Sequence, residues 1–89
     1  MIAPSAVPRL CHARLRRRGA DLLLVGPERA LLLRGSSPAV LALVDGRRSV
    51  AAIAAELAAA HDAPAPRVEA EVVALFAELA RRHLVELGR

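Results

Sequence analysis

The side chains able to do chemistry are few: Cys11, three histidines, nine carboxylates and thirteen cations that are all Arg. Cys11 and His12 are adjacent, and in extended backbone neighbouring side chains leave on opposite faces, which places thiol and imidazole badly for a nucleophile and its base. No third group nearby would orient the imidazole. His12, His61 and His83 fall in three separate segments without ligand spacing, so metal coordination is not expected. Glu28 after Pro27 and Asp45 before Gly46 read as turn and cap residues, and no glycine-rich loop offers a phosphate cradle. These readings predict a protein that is not an enzyme and holds no cofactor or metal.

The densest charge feature is Arg14, Arg16, Arg17 and Arg18. Such a run is a solvated strand face that discourages edge-to-edge aggregation, or an anion-facing surface that docks a partner. The Arg-only cation set, together with Ala-rich runs, also looks like the codon composition of a GC-rich bacterial gene, which makes the formal charge of +4 weak evidence for nucleic acid.

These residues have to be positioned by a small scaffold. Eighty-nine residues suffice for one domain, and a chain this short leaves roughly a third or more of its unfolded surface wet after folding. The apolar fraction of 55% excludes disorder, and Phe76, the only aromatic residue, excludes a stacking platform for single-stranded nucleic acid. One cysteine excludes an internal disulfide and fits a reducing compartment. Residues 1–10 lack the apolar run of a secretory signal, and Val50 to Ala60, broken by Glu56, is too short to span a bilayer. A soluble cytoplasmic domain without membrane contact is expected.

Residues 1–8 read as a flexible Pro-containing tail, with the folded domain over 9–89. Ala13 to Arg17 alternates as a half-exposed strand with Arg14 and Arg16 on one side. Leu22 to Val25 and Arg29 to Arg34 are short apolar runs punctuated by Gly26-Pro27 and Gly35, too short for stable helices. Ser37 then reads as an N-cap with Pro38 at the first helical position and Gly46 at the left-handed C-terminal position. Ser49 caps a second helix whose Val50, Ile53, Ala54, Leu57 and Ala58 share one face. Pro66 opens a third helix, with Val68, Val72, Leu75, Phe76 and Leu79 on one side, Glu69 and Glu71 near its start and Arg81 and Arg82 at its end. Leu84 to Leu87 is a terminal apolar patch expected to fold back on the core. The expected fold is α+β, winged-helix-like, with three short antiparallel strands followed by three helices.

A winged-helix layout raises DNA binding as a rival. Arg67 to Arg82 carries three Arg against three Glu, and the end that would enter the major groove has Glu69 and Glu71 facing phosphates. A peptide fits better: Arg29 to Arg34, if it forms a sheet edge, offers unpaired backbone groups that an extended peptide satisfies by adding a strand.

The ordered series Pro8-Arg9-Leu10, Gly26-Pro27-Glu28-Arg29-Ala30-Leu31-Leu32-Leu33, Val44-Asp45-Gly46-Arg47-Arg48-Ser49-Val50, Asp62-Ala63-Pro64 and Leu79 through Leu84-Val85-Glu86 resembles the PqqD family. The resemblance covers nearly the whole chain from Pro8. It implies a peptide chaperone of pyrroloquinoline quinone biosynthesis that binds the ribosomal precursor peptide PqqA and presents it to the radical S-adenosylmethionine enzyme PqqE. Related modules, RiPP recognition elements, hold a leader peptide as an added strand beside the third helix. Carried over by position, the peptide site would be Arg29, Ala30, Leu31, Leu32, Leu33 and Arg34 on one wall and Val68, Glu71, Val72, Leu75 and Leu79 on the other. Arg14, Arg16, Arg17 and Arg18 would dock the enzyme. His83 stands where the family commonly has Gly, a position suited to a left-handed cap. The alternatives are a recognition element for another modified peptide, a small DNA-binding regulator, or a homodimerising subunit joined through a bare strand edge.

Overall fold

Alternation sets the sheet and punctuation ends it. The computed structural model describes residues 2–88, in which β2 (Arg14–Arg18), β3 (Asp21–Val25) and β4 (Ala30–Leu33) form an antiparallel three-stranded sheet in the order β2-β3-β4. Gly19, at φ +62°, makes the tight turn between β2 and β3. The register puts Leu15 opposite Leu24 and Leu24 opposite Leu31, so these three form a row on the face turned to the core, where Leu24 is fully buried. The other face carries the rows Arg14–Val25–Ala30 and Arg16–Leu23–Leu32. The strand expected over 13–17 therefore lies one residue later, with the expected faces.

Three helices follow: α1 (Ser37–Ala42), α2 (Val50–Ala60) and α3 (Ala65–Arg81). The N-cap of α1 is Ser36, and its hydroxyl makes no capping bond; Ser37, expected as the cap, is already helical, with Pro38 close behind. Gly46 is left-handed at φ +77°, but α1 ends at Leu43, so Gly46 serves the following turn and is not the helix terminator expected. Asp45 organises that turn by accepting from the amides of Arg47 and Arg48, both at 2.9 Å. These bonds, Arg48's first, hold its carboxyl below the ordinary aspartate range.

Ser49 caps α2 as its sequence context predicts, its Oγ accepting from Ala52 N at 3.1 Å, and Val50, Ile53, Ala54, Leu57 and Ala58 are all buried. Asp62 then turns the chain at φ +49°, and α3 packs back along α2 with Val72, Phe76 and Leu79 inward. Glu69 and Glu71 lie beyond the first turn, whereas Arg81 does stand in the last, where its charge suits the dipole. Glu78 accepts from both Arg81 and Arg82, and the Arg82 bond leads in keeping its carboxyl below the usual range. His83 closes the helix at φ +59°, the left-handed cap expected of it.

The ends of the chain depart most from expectation. Val7 and Pro8, assigned to a flexible tail, belong to β1 (Val7–Leu10), which pairs antiparallel with β5 (Val85–Gly88), the patch expected only to fold back. The described residues thus form five strands, in two sheets. Pro8 is tolerated because a two-stranded ribbon has an outer edge on each strand. Residues 4–6 are also docked: the carbonyls of Ala6 and Pro4 accept from Val50 N at 2.8 Å and Ala51 N at 2.9 Å, satisfying orphan amides at the start of α2. Gly26, just after β3, packs closely against Leu84, just before β5, since a Cβ there would lie 2.8 Å from Leu84 Cδ2. The α+β class holds, and the likeness to a winged helix is loose, because the three-stranded sheet precedes all three helices.

Candidate functional site

The three-stranded sheet has two open edges, β2 and β4, and two features of β4 bear on peptide pairing. This strand lies at an edge, and its pairing phase decides which residues face outward. Gly26 N donates to Arg29 O at 2.9 Å, marking 26/29 as a hydrogen-bonded pair. Along the register the bonded pairs then recur at Leu24/Leu31 and Leu22/Leu33. Ala30 and Leu32 alternate with them, so their N–H and C=O groups point away from β3 to the free edge. Leu31 and Leu33 turn inward, whereas Leu32 is 41% exposed, the one large apolar side chain so exposed among the described residues.

At the far end of β4 the chain passes through Arg34 and Gly35 into α1, and there a cleft of about 370 Å³ opens between the helices. Its α3 wall is Arg67, Val68, Glu71, Val72 and Leu75. Four of the five residues expected on that wall are therefore brought together. Leu79 is not among them: it is 2% exposed and belongs to the core. Ser37 and Val40 of α1 with its N-cap Ser36, and Leu57 of α2 with its C-cap His61, make the opposite side, and none of the β4 residues lines this cleft. The candidate site is thus a bare strand edge followed along the chain by a cleft, and not one groove with a strand along its whole wall.

Sequence reasoning missed the α1 and α2 contributions. The signal was present in chain continuity, since a strand that ends at Leu33 and gives way to a helix at Ser37 carries Ser36 and Ser37 to the mouth. The floor is aliphatic and the rim is polar, with Arg67 Nε 3.7 Å from Glu71 Oε1 across one helical turn. Both partners are exposed, so the pair adds little stability and leaves the rim adaptable.

The remaining chemical candidates sit elsewhere. Cys11 Sγ donates to Glu86 Oε1 at 3.5 Å, and desolvation, then that bond and the Glu86 charge, push the thiol pKa up, the wrong direction for a nucleophile. Among the described residues no three His, Cys, Asp or Glu side chains gather as metal ligands, and no helix is long and apolar enough to cross a membrane. Arg14, Arg16, Arg17 and Arg18 are exposed along β2, the opposite edge of the sheet from β4.

The chain is similar to known proteins in sequence and in fold. Residues 21–85 match the family model described as coenzyme PQQ synthesis protein D (PqqD). A PqqA binding protein of Gluconobacter oxydans is 37% identical over 78 residues, covering 86% of this chain and 77% of that protein. One from Xanthomonas oryzae pv. oryzae is 42% identical over 79 residues, covering 89% and 83%. The solution structure of the PqqD truncation of Methylobacterium extorquens PqqCD, described as a functional and stand-alone RiPP recognition element, superposes with a TM-score of 0.84 at 37% identity. That match covers 97% of this chain and 95% of the other.

Proposed function

The chain belongs to the PqqD family, and on that premise we propose that it is a non-enzymatic peptide carrier of pyrroloquinoline quinone biosynthesis. It binds the precursor peptide PqqA in the cytoplasm and presents it to the radical S-adenosylmethionine enzyme PqqE. The observation that carries this reading is the unpaired edge of β4, with Ala30 and Leu32 offering backbone donors and acceptors beside an aliphatic cleft. An extended peptide pairs with that edge, and its side chains then run on to Val68, Val72 and Leu75. Arg29 and Arg34 flank the edge and suit acidic residues of the peptide, and Glu71 with Arg67 at the rim discriminates among its polar side chains.

Titration of the 15N-labelled protein with synthetic PqqA tests this. Amide shifts concentrated in 30–33 and 67–75 are expected, largest at Ala30 and Leu32 because their N–H groups acquire partners. Shifts confined to β1, β5 or the outer side of α2 would refute it. The bare edge also suits a second copy of the chain, and that reading predicts concentration-dependent sedimentation that the peptide reverses.

A further inference from the structure

Charge is not spread evenly over this fold. Residues 14–34, which build the three-stranded sheet, hold six Arg against Asp21 and Glu28, a net of +4, and the seven Arg and seven carboxylates elsewhere cancel. The ion pairs among the described residues engage Arg48, Arg67, Arg81 and Arg82, and none of the six sheet arginines. The register sorts these cations. Arg14, Arg16 and Arg18 fall on the face turned away from the helices, in rows with Val25, Leu23 and Asp21, and Leu32 completes the Leu23 row. That face therefore has an apolar strip of Leu23, Val25 and Leu32 beside a line of unpaired guanidinium groups.

We infer that this outer sheet face is a docking surface for a folded protein whose matching patch is apolar at its centre and bears carboxylates along one side. The inference rests on the peptide-carrier reading and identifies the surface by which the enzyme that receives the peptide approaches. An apolar centre with Arg beside it is the composition of a protein interface, whereas phosphate backbones reward cations without an apolar centre. The patch lacks aromatic side chains, which anchor interfacial membrane contacts.

Size bears on how such docking works. Three strands about 4.8 Å apart and four or five residues long present only about 200 Å² in projection, against roughly 800 Å² per partner for a standard interface. A peptide strand added to β4 lies in the plane of this sheet, and its alternate side chains point to the same outer face. The loaded protein thus offers a surface about one third wider than the empty one. Peptide and enzyme then bind with positive coupling, and the coupling runs both ways.

The test measures two affinities, for PqqA by calorimetry and for PqqE by interferometry, with and without peptide, for the wild type, R14E/R16E, the milder R14Q/R16Q and R47E, an exposed Arg outside the sheet. Amide spectra check that each variant is folded. Expected are PqqA affinity within about twofold of wild type for the sheet variants, PqqE affinity at least about tenfold weaker for R14E/R16E and intermediate for R14Q/R16Q, no loss for R47E, and tighter PqqE binding by the loaded wild type. The inference is overturned if the sheet variants bind PqqE like wild type, if R47E loses as much, or if PqqE ignores the wild type. It is equally overturned if phosphatidylglycerol vesicles or duplex DNA compete as well as PqqE. Loss of PqqA binding by the wild type would instead refute the carrier reading, which keeps the two failures distinct.

Discussion

Replacing Leu32 with proline separates the two things a strand edge does. The N–H of Leu32 points to the free side of β4, so its removal leaves the β3–β4 ladder intact, and proline is tolerated on edge strands in that orientation. The same change at Leu31 removes a ladder bond at the centre of the hairpin. L32P is therefore expected to melt within a few degrees of wild type and L31P far lower, since about 1 kcal/mol shifts a domain of this size by roughly 4–8 °C. Binding reverses the order of importance. An added peptide strand loses one hydrogen bond and keeps a carbonyl without its donor, at a cost of about 1–3 kcal/mol, or roughly five- to 150-fold in Kd. Calorimetric titration with PqqA measures the loss, and Leu32→Ala supplies the control, because it deletes the exposed side chain and keeps the N–H. Folded L32P binding as tightly as wild type would refute strand addition at this edge. So would an equal loss in L32A, which would assign the effect to the side chain.

Three further outcomes follow from the geometry. Leu75→Ala, at a half-buried position on the cleft wall, is expected to weaken PqqA by about 1–2 kcal/mol, roughly five- to thirtyfold, with little change in melting temperature. A chain starting at Val7 lacks the carbonyls of Pro4 and Ala6 that cap α2 and is expected to lose about 1–2 kcal/mol, read by denaturant titration. Asp45 and Glu78 have depressed folded-state pKa values, so their contribution is fully present above the ordinary carboxylate range and is lost as pH falls through the folded values. The melting temperature is thus expected to hold from pH 7 to about 5 and fall below about 4, and Asp45→Asn with Glu78→Gln flattens that fall.

Local signals located most of the fold. The i, i+3, i+4 spacing from Val50 and the Ser49 cap placed α2, and the Gly26-Pro27 punctuation placed the β3–β4 hairpin. What eluded the sequence was non-local. Neither Val7–Leu10 nor Val85–Gly88 alternates for long enough to announce a strand, and each exists because the other, 75 to 81 positions away, supplies its hydrogen bonds. Pro8 argued against a strand while making no demand on the outer edge where it sits. The site shows the same division. Val68, Val72 and Leu75 were legible as one helical face, but which of them meets solvent depends on how α1 and α2 pack. Leu79 has the same spacing and is core because β5 and α2 close over that end of α3.

Magnitudes decide what each half of the site contributes. Ala30 and Leu32 present four outward main-chain groups, and at about 0.5–1.5 kcal/mol each a complete set of bonds yields roughly 2–6 kcal/mol. Association costs about 4–15 kcal/mol, so the strand edge alone falls short of the roughly 8 kcal/mol net that micromolar binding requires. The balance has to come from apolar side chains entering the cleft, at about 1.5–3 kcal/mol for each one fully buried. On the proposed reading the edge therefore fixes direction and register, and the cleft supplies affinity and selects sequence. It follows that a precursor peptide with its apolar anchors changed to Ala loses more affinity than any single backbone change in β4, and that the reverse ranking in the same titrations would show the edge to be dominant.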